Sequence, residues 1–337
     1  MLRYLARRLV LLFFLMIGVS FVVFLLSHAV PSDPVAANLS QRSLGNPELV
    51  AEFRAKWGLD QPFHRQYAAY LKNLLQGNLG ISIRTQRPVL DDLLRHYPAT
   101  VELAVFGMAF AVFFGMLFGV ISAIRRNTLS EQLFRGISIF GVSVPSFWLA
   151  LILLYVFYLT LGIAPGPGRV SSRVTPPAHV SGFFLLDALL AGNFSLFLDA
   201  LRHLVLPGAC LGMFTMGLIT RTTRSSLLEA LTQDFVRTAR AKGLAEKDVI
   251  RKHALGNALL PVVTVIGMGF SNLLSGMVLV ETIFAWPGIG QYAFQSAQNL
   301  DFPAIVGVSL LIALNYVGIN LFIDILYGVL DPRVRYR

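Results

Sequence analysis

Six stretches of the chain run for eighteen or more mostly apolar positions, and the charged positions gather in blocks between them. They cover approximately 9–30, 98–124, 133–160, 203–220, 259–284 and 303–330. Spanning a hydrocarbon layer about 30 Å thick takes about 20 such residues in a helix, so the pattern predicts an all-α polytopic membrane protein with six transmembrane helices. Arg3, Arg7 and Arg8 precede the first run in the manner of a secretory signal. The run is too long for one and ends at Val30-Pro31, which predicts an uncleaved first span.

Within the runs, small residues recur every fourth position: Gly115 and Gly119; Gly208 and Gly212; Gly267, Ser271 and Ser275. Such spacing lets backbones approach closely and predicts helix-packing faces. The last run differs. Tyr316, Asn320, Asp324, Tyr327 and Asp331 fall within roughly 80° of one helical face, making it polar. An intramembrane carboxylate is costly unless it faces a bundle interior or water, so Asp324 is a candidate pathway residue, against the plainer alternative of pairing with nearby cations. Glu102 and Glu281 fall near the outer ends of their runs, where an interfacial charge is cheap. Pro145 and Pro207 predict kinks, and Trp286-Pro287-Gly288-Ile289-Gly290 predicts a turn or re-entrant loop. Between the first two runs, residues 66–75 have an amphipathic pattern ended by Gly77 and predict a helix lying on the membrane face.

Composition agrees with this picture: 55% of the 337 residues are hydrophobic and 14% charged, with mean hydropathy +0.66. A net charge of +10 raises nucleic acid as a partner, but the placement of the charges excludes it. If both ends lie on one side, the loops 1–9, 125–135, 221–257 and 331–337 hold 17 Lys and Arg in 64 residues, against 11 in 128 for the opposite loops. Short basic loops stay inside, so both termini are expected in the cytoplasm.

The chemistry absent from the chain narrows its role. No G-x-x-x-x-G-K-[ST] phosphate loop occurs, so any use of ATP must come from another subunit. The six histidines show no metal-ligand spacing, and the lone Cys210 reads as a small buried hydrophobe. No G-x-S-x-G occurs, so no catalytic residue and no metal site is expected.

One polar block stands apart, VRTARAKGLAEKDVIRKHALGNALLP over 236–261. Ser226-Leu227-Leu228-Glu229 has the form of a capping box, predicting a helix that starts there and ends at Gly243. A second helix is expected from about Ala245, supported by Asp248 and Lys252 at i, i+4. The unit predicts a rigid basic knob exposing Leu244, Val249 and Ile250 beside Arg237, Arg240, Lys242 and Lys247. Both of its ends are tied to spans, so it cannot readily follow a DNA groove.

At these residues the chain resembles the permease subunits of ATP-binding-cassette importers, in the dipeptide, oligopeptide and nickel group. That family's cytoplasmic signature is Glu-Ala-Ala, three residues, then Gly, and here Arg237-Thr238-Ala239 precedes Gly243 at that spacing. The first two positions depart from the general pattern but look like the peptide branch, which is also similar at Asn257-Ala258-Leu259-Leu260-Pro261, with Gly256 where Arg is usual. Pro31-Ser32-Asp33-Pro34, Gly77-Asn78-Leu79-Gly80-Ile81-Ser82, Ser143-Val144-Pro145-Ser146-Phe147-Trp148 and Leu330-Asp331-Pro332-Arg333 extend the likeness over nearly the whole chain.

The resemblance implies a type I importer permease in a bacterial inner membrane. It divides into a first helix (1–30), an external cap (31–97), a core of five helices (98–330) with a coupling loop (221–257), and a tail (331–337). Arg237, Thr238, Ala239, Arg240, Lys242, Gly243 and Leu244 would couple to two separate ATPase subunits that bind ATP and Mg. A second homologous permease and an extracytoplasmic peptide-binding protein would complete the assembly. Tyr316, Asn320, Asp324 and Tyr327 would line the pathway, and Glu281, Trp286, Pro287 and Gly288 would meet the binding protein or gate. Nickel or glutathione is the alternative cargo. The rival classes are an ion channel or carrier using Asp324, and an intramembrane enzyme.

Overall fold

The computed structural model describes residues 2–29, 45–57, 60–172, 174–177, 180–275 and 278–330, and it is helical. Among the described residues there is one isolated β-bridge, Ile81 with Pro88, and no strand. In chain order the helices are α1 (Leu2–Ala29), α2 (Pro47–Trp57), α3 (Phe63–Leu75), α4 (Val89–Ile124), α5 (Leu129–Ser143), α6 (Ser146–Leu153), α7 (Phe184–Leu190), α8 (Phe194–Leu231), α9 (Asp234–Ala241), α10 (Glu246–Asp248), α11 (Leu255–Ser275), α12 (Val278–Ile283), α13 (Ile289–Gln298) and α14 (Phe302–Leu330). π-helical turns follow α6 (Leu154–Thr160) and join α10 to α11 (Val249–Ala254).

Among the described residues, four helical segments are long and apolar enough to cross a membrane: Val89–Ile124, Phe194–Leu231, Glu246–Leu274 and Phe302–Ile323. A bent pair, Leu129–Ser143 with Ser146–Thr160, makes a fifth if it is one span, and the apolar part of α1 is Val10–Val22. The third expected span falls on this bent pair, with its break at Pro145. The bend is 111°, because Pro145 has no amide hydrogen and Val144 before it is extended, ending α5. Pro207 and Pro98, by contrast, sit inside unbroken helices.

The chain divides into two compact units. One comprises 1–98 and 287–317. In it Phe24 of α1 meets the rings of Phe63, Tyr67 and Tyr70 on the amphipathic α3, which ends where Gly77 takes φ +77°. Val89, Leu93, Ile289, Tyr292, Ala304 and Val308 form a second core, beside which Asp301, fully buried, accepts from the Ser82 hydroxyl and the Arg84 amide.

The other unit, 99–286 with 318–337, is organised around α8. A Cβ on Gly115 would lie 2.8 Å from Ile219, and one on Gly119 would lie 2.6 Å from Thr223. The offset between partners is constant, so α4 and α8 run parallel, with glycines where the backbones meet. Gly208 and Gly212 serve the same seam against Phe106 and Gly107, and Gly267 is closed over by Ile323. Gly141 meets Met213, Gly217 meets Ser138, and Glu131 bonds Arg224, so α5 runs antiparallel to α8. The connections 125–128 and 232–254 thus lie at one end of this unit.

Candidate functional site: a clamped helix at the basic end

The capping-box expectation fails: α8 runs through Ser226 and Glu229 to Leu231, since nothing interrupts it before Thr232-Gln233. The exposed helix is instead α9, beginning after an extended Gln233. Its eight residues divide cleanly. Val236 and Ala239 are buried, packed in one cluster with Ala123, Leu227, Ala230, Val249, Ala254 and Ala258. Arg237, Thr238 and Arg240 face solvent, as does Lys242 just past the helix end. Burying each valine contributes roughly 1.5–3 kcal/mol, enough to hold a helix too short to be stable alone.

Gly243 ends α9 with φ +77°, a conformation side chains disfavour, as its sequence position predicts. Its amide bonds Arg240 O at 2.9 Å and the Leu244 amide reaches Ala239 O at 3.4 Å, the paired bonds of a Schellman cap. The cap projects Leu244, 42% exposed, into solvent. Arg240 bonds both carboxylate oxygens of Glu246, at 3.0 and 2.6 Å, bridging the turn, and this holds its guanidinium above its usual pKa. Lys252 pairs with Asp248 at 3.1 Å as expected. Val249 is the correction: it is fully buried beneath α9 rather than exposed, because the π-helical turn Val249–Ala254 packs back against α8 and α9. The exposed apolar residues of the knob are Phe235 and Leu244.

The second group is not at a surface. Glu281 and Trp286 are 0% and 1% exposed, Gly288 is buried, and Pro287 alone of the four is exposed. Glu281 accepts from the Thr100 hydroxyl at 2.7 Å, and the Trp286 indole donates to Ala99 O at 2.8 Å. Glu102, expected at an interface, is also buried. It accepts from Arg169 at 2.5 Å and from the Leu185 amide at 2.8 Å, while the Arg169 guanidinium lies 3.6 Å from the Phe184 ring centre. Burial holds that guanidinium below its usual pKa even with Glu102 beside it. Next to it, burial pushes the Asp187 carboxyl up, but donors from Ser181 and Gly182 outweigh this and hold it below the usual range. Sequence reasoning missed this clasp, because nothing local marks Arg169 as the partner of a residue 67 positions earlier.

On α14, Tyr316 is exposed and Asn320 half-buried. Asp324 and Tyr327 lie on that helix, with side chains outside the described residues, as are Pro31–Pro34, Asp331 and Arg333. Among the described residues, no cluster of His, Cys, Asp or Glu could hold a metal ion.

Comparison with known proteins gives a family. A family model described as "Binding-protein-dependent transport system inner membrane component" matches residues 115–336, and a companion N-terminal model matches 1–104. The chain is 44% identical to the probable D,D-dipeptide transport system permease protein DdpB of Escherichia coli (strain K12), over 94% of this chain and 93% of that one. It is 43% identical to the di/tripeptide transport system permease protein DppB of Pseudomonas aeruginosa (strain UCBPP-PA14), over the whole of both. It is 36% identical to the glutathione transport system permease protein GsiC of Escherichia coli O6:H1, again over the whole of both. Among solved structures, an inward-facing MetNI methionine ABC transporter shares the fold, with TM-score 0.51 and 16% identity over 71% of this chain and 96% of that one. The chain belongs to the family of inner-membrane components of binding-protein-dependent transport systems.

Proposed function

We propose that this chain is a membrane-spanning permease subunit of an ATP-driven peptide importer, and that α9 with its Gly243 turn docks on a separate ATPase subunit. The observation that carries the docking role is the anchored, outward-facing α9, whose Val236 and Ala239 are buried while Arg237, Thr238, Arg240, Lys242 and Leu244 are presented to solvent. A loop serving only to connect spans needs no such two-sided element. For cargo, full-length identity to dipeptide and di/tripeptide permeases supports di- or oligopeptides. Glutathione, a tripeptide, is the second reading favoured by a relative at 36% identity.

In this reading six spans cross the bacterial inner membrane. The basic end that bears α9 faces the cytoplasm with both termini, as the bias of Lys and Arg requires. Two ATPase subunits supply ATP binding and hydrolysis with Mg. A second homologous permease completes the pathway, and an extracytoplasmic binding protein delivers peptide. Pro287, which is exposed, and the polar face of α14 are the contact and pathway candidates. ATP-driven closure would pull α9, and through its apolar anchor α8 and α11, switching access from one side to the other.

The test is purification of the tagged chain from its native cells in mild detergent, followed by mass spectrometry and by uptake in liposomes. Co-purification of an ATPase bearing a phosphate loop, lost when residues 237–243 are altered, with peptide uptake that requires ATP, supports the proposal. Isolation alone, with ion flux in the absence of ATP, transfers the function to a channel or carrier centred on Asp324.

A further inference from the structure

Between α5 and α8 lies a cavity of about 420 Å³ whose lining is split by chemistry. Ile139 and Val142 of α5, with Gly217 of α8, make the apolar part of the floor where the two helices touch, with Ser138, Ser143 and Thr220 beside them. Arg135 of α5 and Arg221 and Arg224 of α8 stand at the other end. The spacing of each set follows the helix: 135, 139 and 142 fall on one face of α5, and 217, 221 and 224 on one face of α8. Both faces turn cationic at the level where the apolar run of α8 stops at Thr220 and Arg221 begins.

The charges at this site do not cancel. Arg224 bonds Glu131 through its Nε at 2.8 Å, and Glu131 also accepts from the Asn127 amide at 2.6 Å, which fixes that pair as the end wall. Among the described residues, Arg135 and Arg221 have no carboxylate within ion-pair distance, so the site keeps an excess of two positive charges beside the Ser225 hydroxyl. A ligand that satisfies this cavity needs an anionic, oxygen-rich head for the guanidiniums and an apolar stem for the floor. A free anion would leave Ile139 and Val142 wet, and an apolar chain alone would leave the arginines unpaired.

We propose that this cavity is a binding site for one anionic phospholipid, its phosphate held by Arg135 and Arg221 and the start of its acyl chain laid on Ile139 and Val142. The location suits it, because a cationic pocket between spans at the membrane interface meets lipid headgroups from the side. Gly217 is part of the design. With no side chain there, α5 and α8 touch, and the floor is closed beneath the headgroup.

The test uses the full-length chain, purified in mild detergent with whatever subunits accompany it, and phosphatidylglycerol or phosphatidylcholine added in turn. Retention is read by native mass spectrometry. The wild-type chain should hold one phosphatidylglycerol under conditions that strip phosphatidylcholine. The double variant Arg135→Gln, Arg221→Gln should hold it about thirtyfold less tightly, the effect of two interfacial cations. Both residues are exposed, so the variant is expected to fold. The companion double variant Arg135→Lys, Arg221→Lys, which keeps the charge, should recover most of the retention. Equal retention of the two lipids, or equal retention of phosphatidylglycerol by wild type and the Gln variant, overturns the proposal. So does displacement of the lipid by millimolar inorganic phosphate, which would make the site one for a free anion. Retention is measured without transport, so failure of the peptide-importer reading would leave this result standing.

Discussion

Replacing Gly243 isolates the contribution of backbone conformation to the α9 knob, because a Cβ placed there meets no atom within 4 Å. There is no clash to confuse the result. The strain comes from φ +77° alone, which costs an ordinary L-residue roughly 1–2 kcal/mol, more for a β-branched one and less for Asn. The cap consists of two bonds, Gly243 N to Arg240 O and Leu244 N to Ala239 O, and the strain acts against both. A penalty of one to two kcal/mol shifts a local folding equilibrium about 5- to 30-fold, enough to fray the last turn of α9. Val236 and Val249, buried beneath, stay in place. Gly243→Val is therefore expected to leave the thermal unfolding of the purified chain within a few degrees of wild type while sharply lowering peptide-stimulated ATPase activity. Gly243→Asn should fall between the two. The assay is ATP hydrolysis by the reconstituted complex with and without peptide, beside amide exchange of residues 239–244. Wild-type coupling by Gly243→Val, at wild-type expression, would refute the reasoning that this cap positions Leu244 and the basic face for docking.

Arg169→Ala leaves Glu102 buried with its strongest donor gone and should destabilise the chain by about 3–5 kcal/mol in detergent unfolding; replacing Glu102 and Arg169 together by Gln and Met should recover most of that loss. Gly119→Val forces atoms into Thr223 Cβ and Thr220 O, at 2.6 and 2.9 Å from the new Cβ, and should cost about 1–3 kcal/mol with a matching fall in membrane yield. The Asp187 carboxyl titrates below its ordinary value, so its hold on Ser181 and Gly182 is complete above about pH 4 and is lost as pH falls through the lower folded value. Exchange of those two amides, corrected for intrinsic rates, should accelerate only below about pH 4. Acceleration beginning near neutral pH would contradict the assignment.

Much of the architecture could be read from local pattern. Glycines four apart predict faces of close helix approach, because that needs no information beyond their spacing, while only the structure pairs α4 with α8 there. Gly243 and Gly77 announce helix ends for the same reason, since each supplies a backbone conformation other residues avoid. Where the outcome depends on partners distant in sequence, the reading fails. Val249 has the same neighbours in the sequence whether its turn folds outward or back onto α8, and only the cluster with Val236 and Leu227 decides. Ser226 and Glu229 satisfy a capping pattern, yet a pattern at a helix start is equally compatible with a helix interior when no residue breaks the run. Glu102 falls near the outer end of its run in the sequence, while in the fold it is held by Arg169 and the Leu185 amide. Pro145 predicts a bend in kind but not in size, because a missing amide permits an angle and packing chooses it.

The glycine seam between α4 and α8 also limits how the machine can move. Ile219 and Thr223 seat against Gly115 and Gly119 as teeth in notches, and sliding either helix by half a turn would drive side chains into backbone. The seam therefore holds the two helices in register, since nothing shorter than a full turn reseats the teeth. If α9 docks as proposed, a push there would pass along α8 with little slip at this seam, and the yielding joints would be sought where the chain already bends, above all at Pro145.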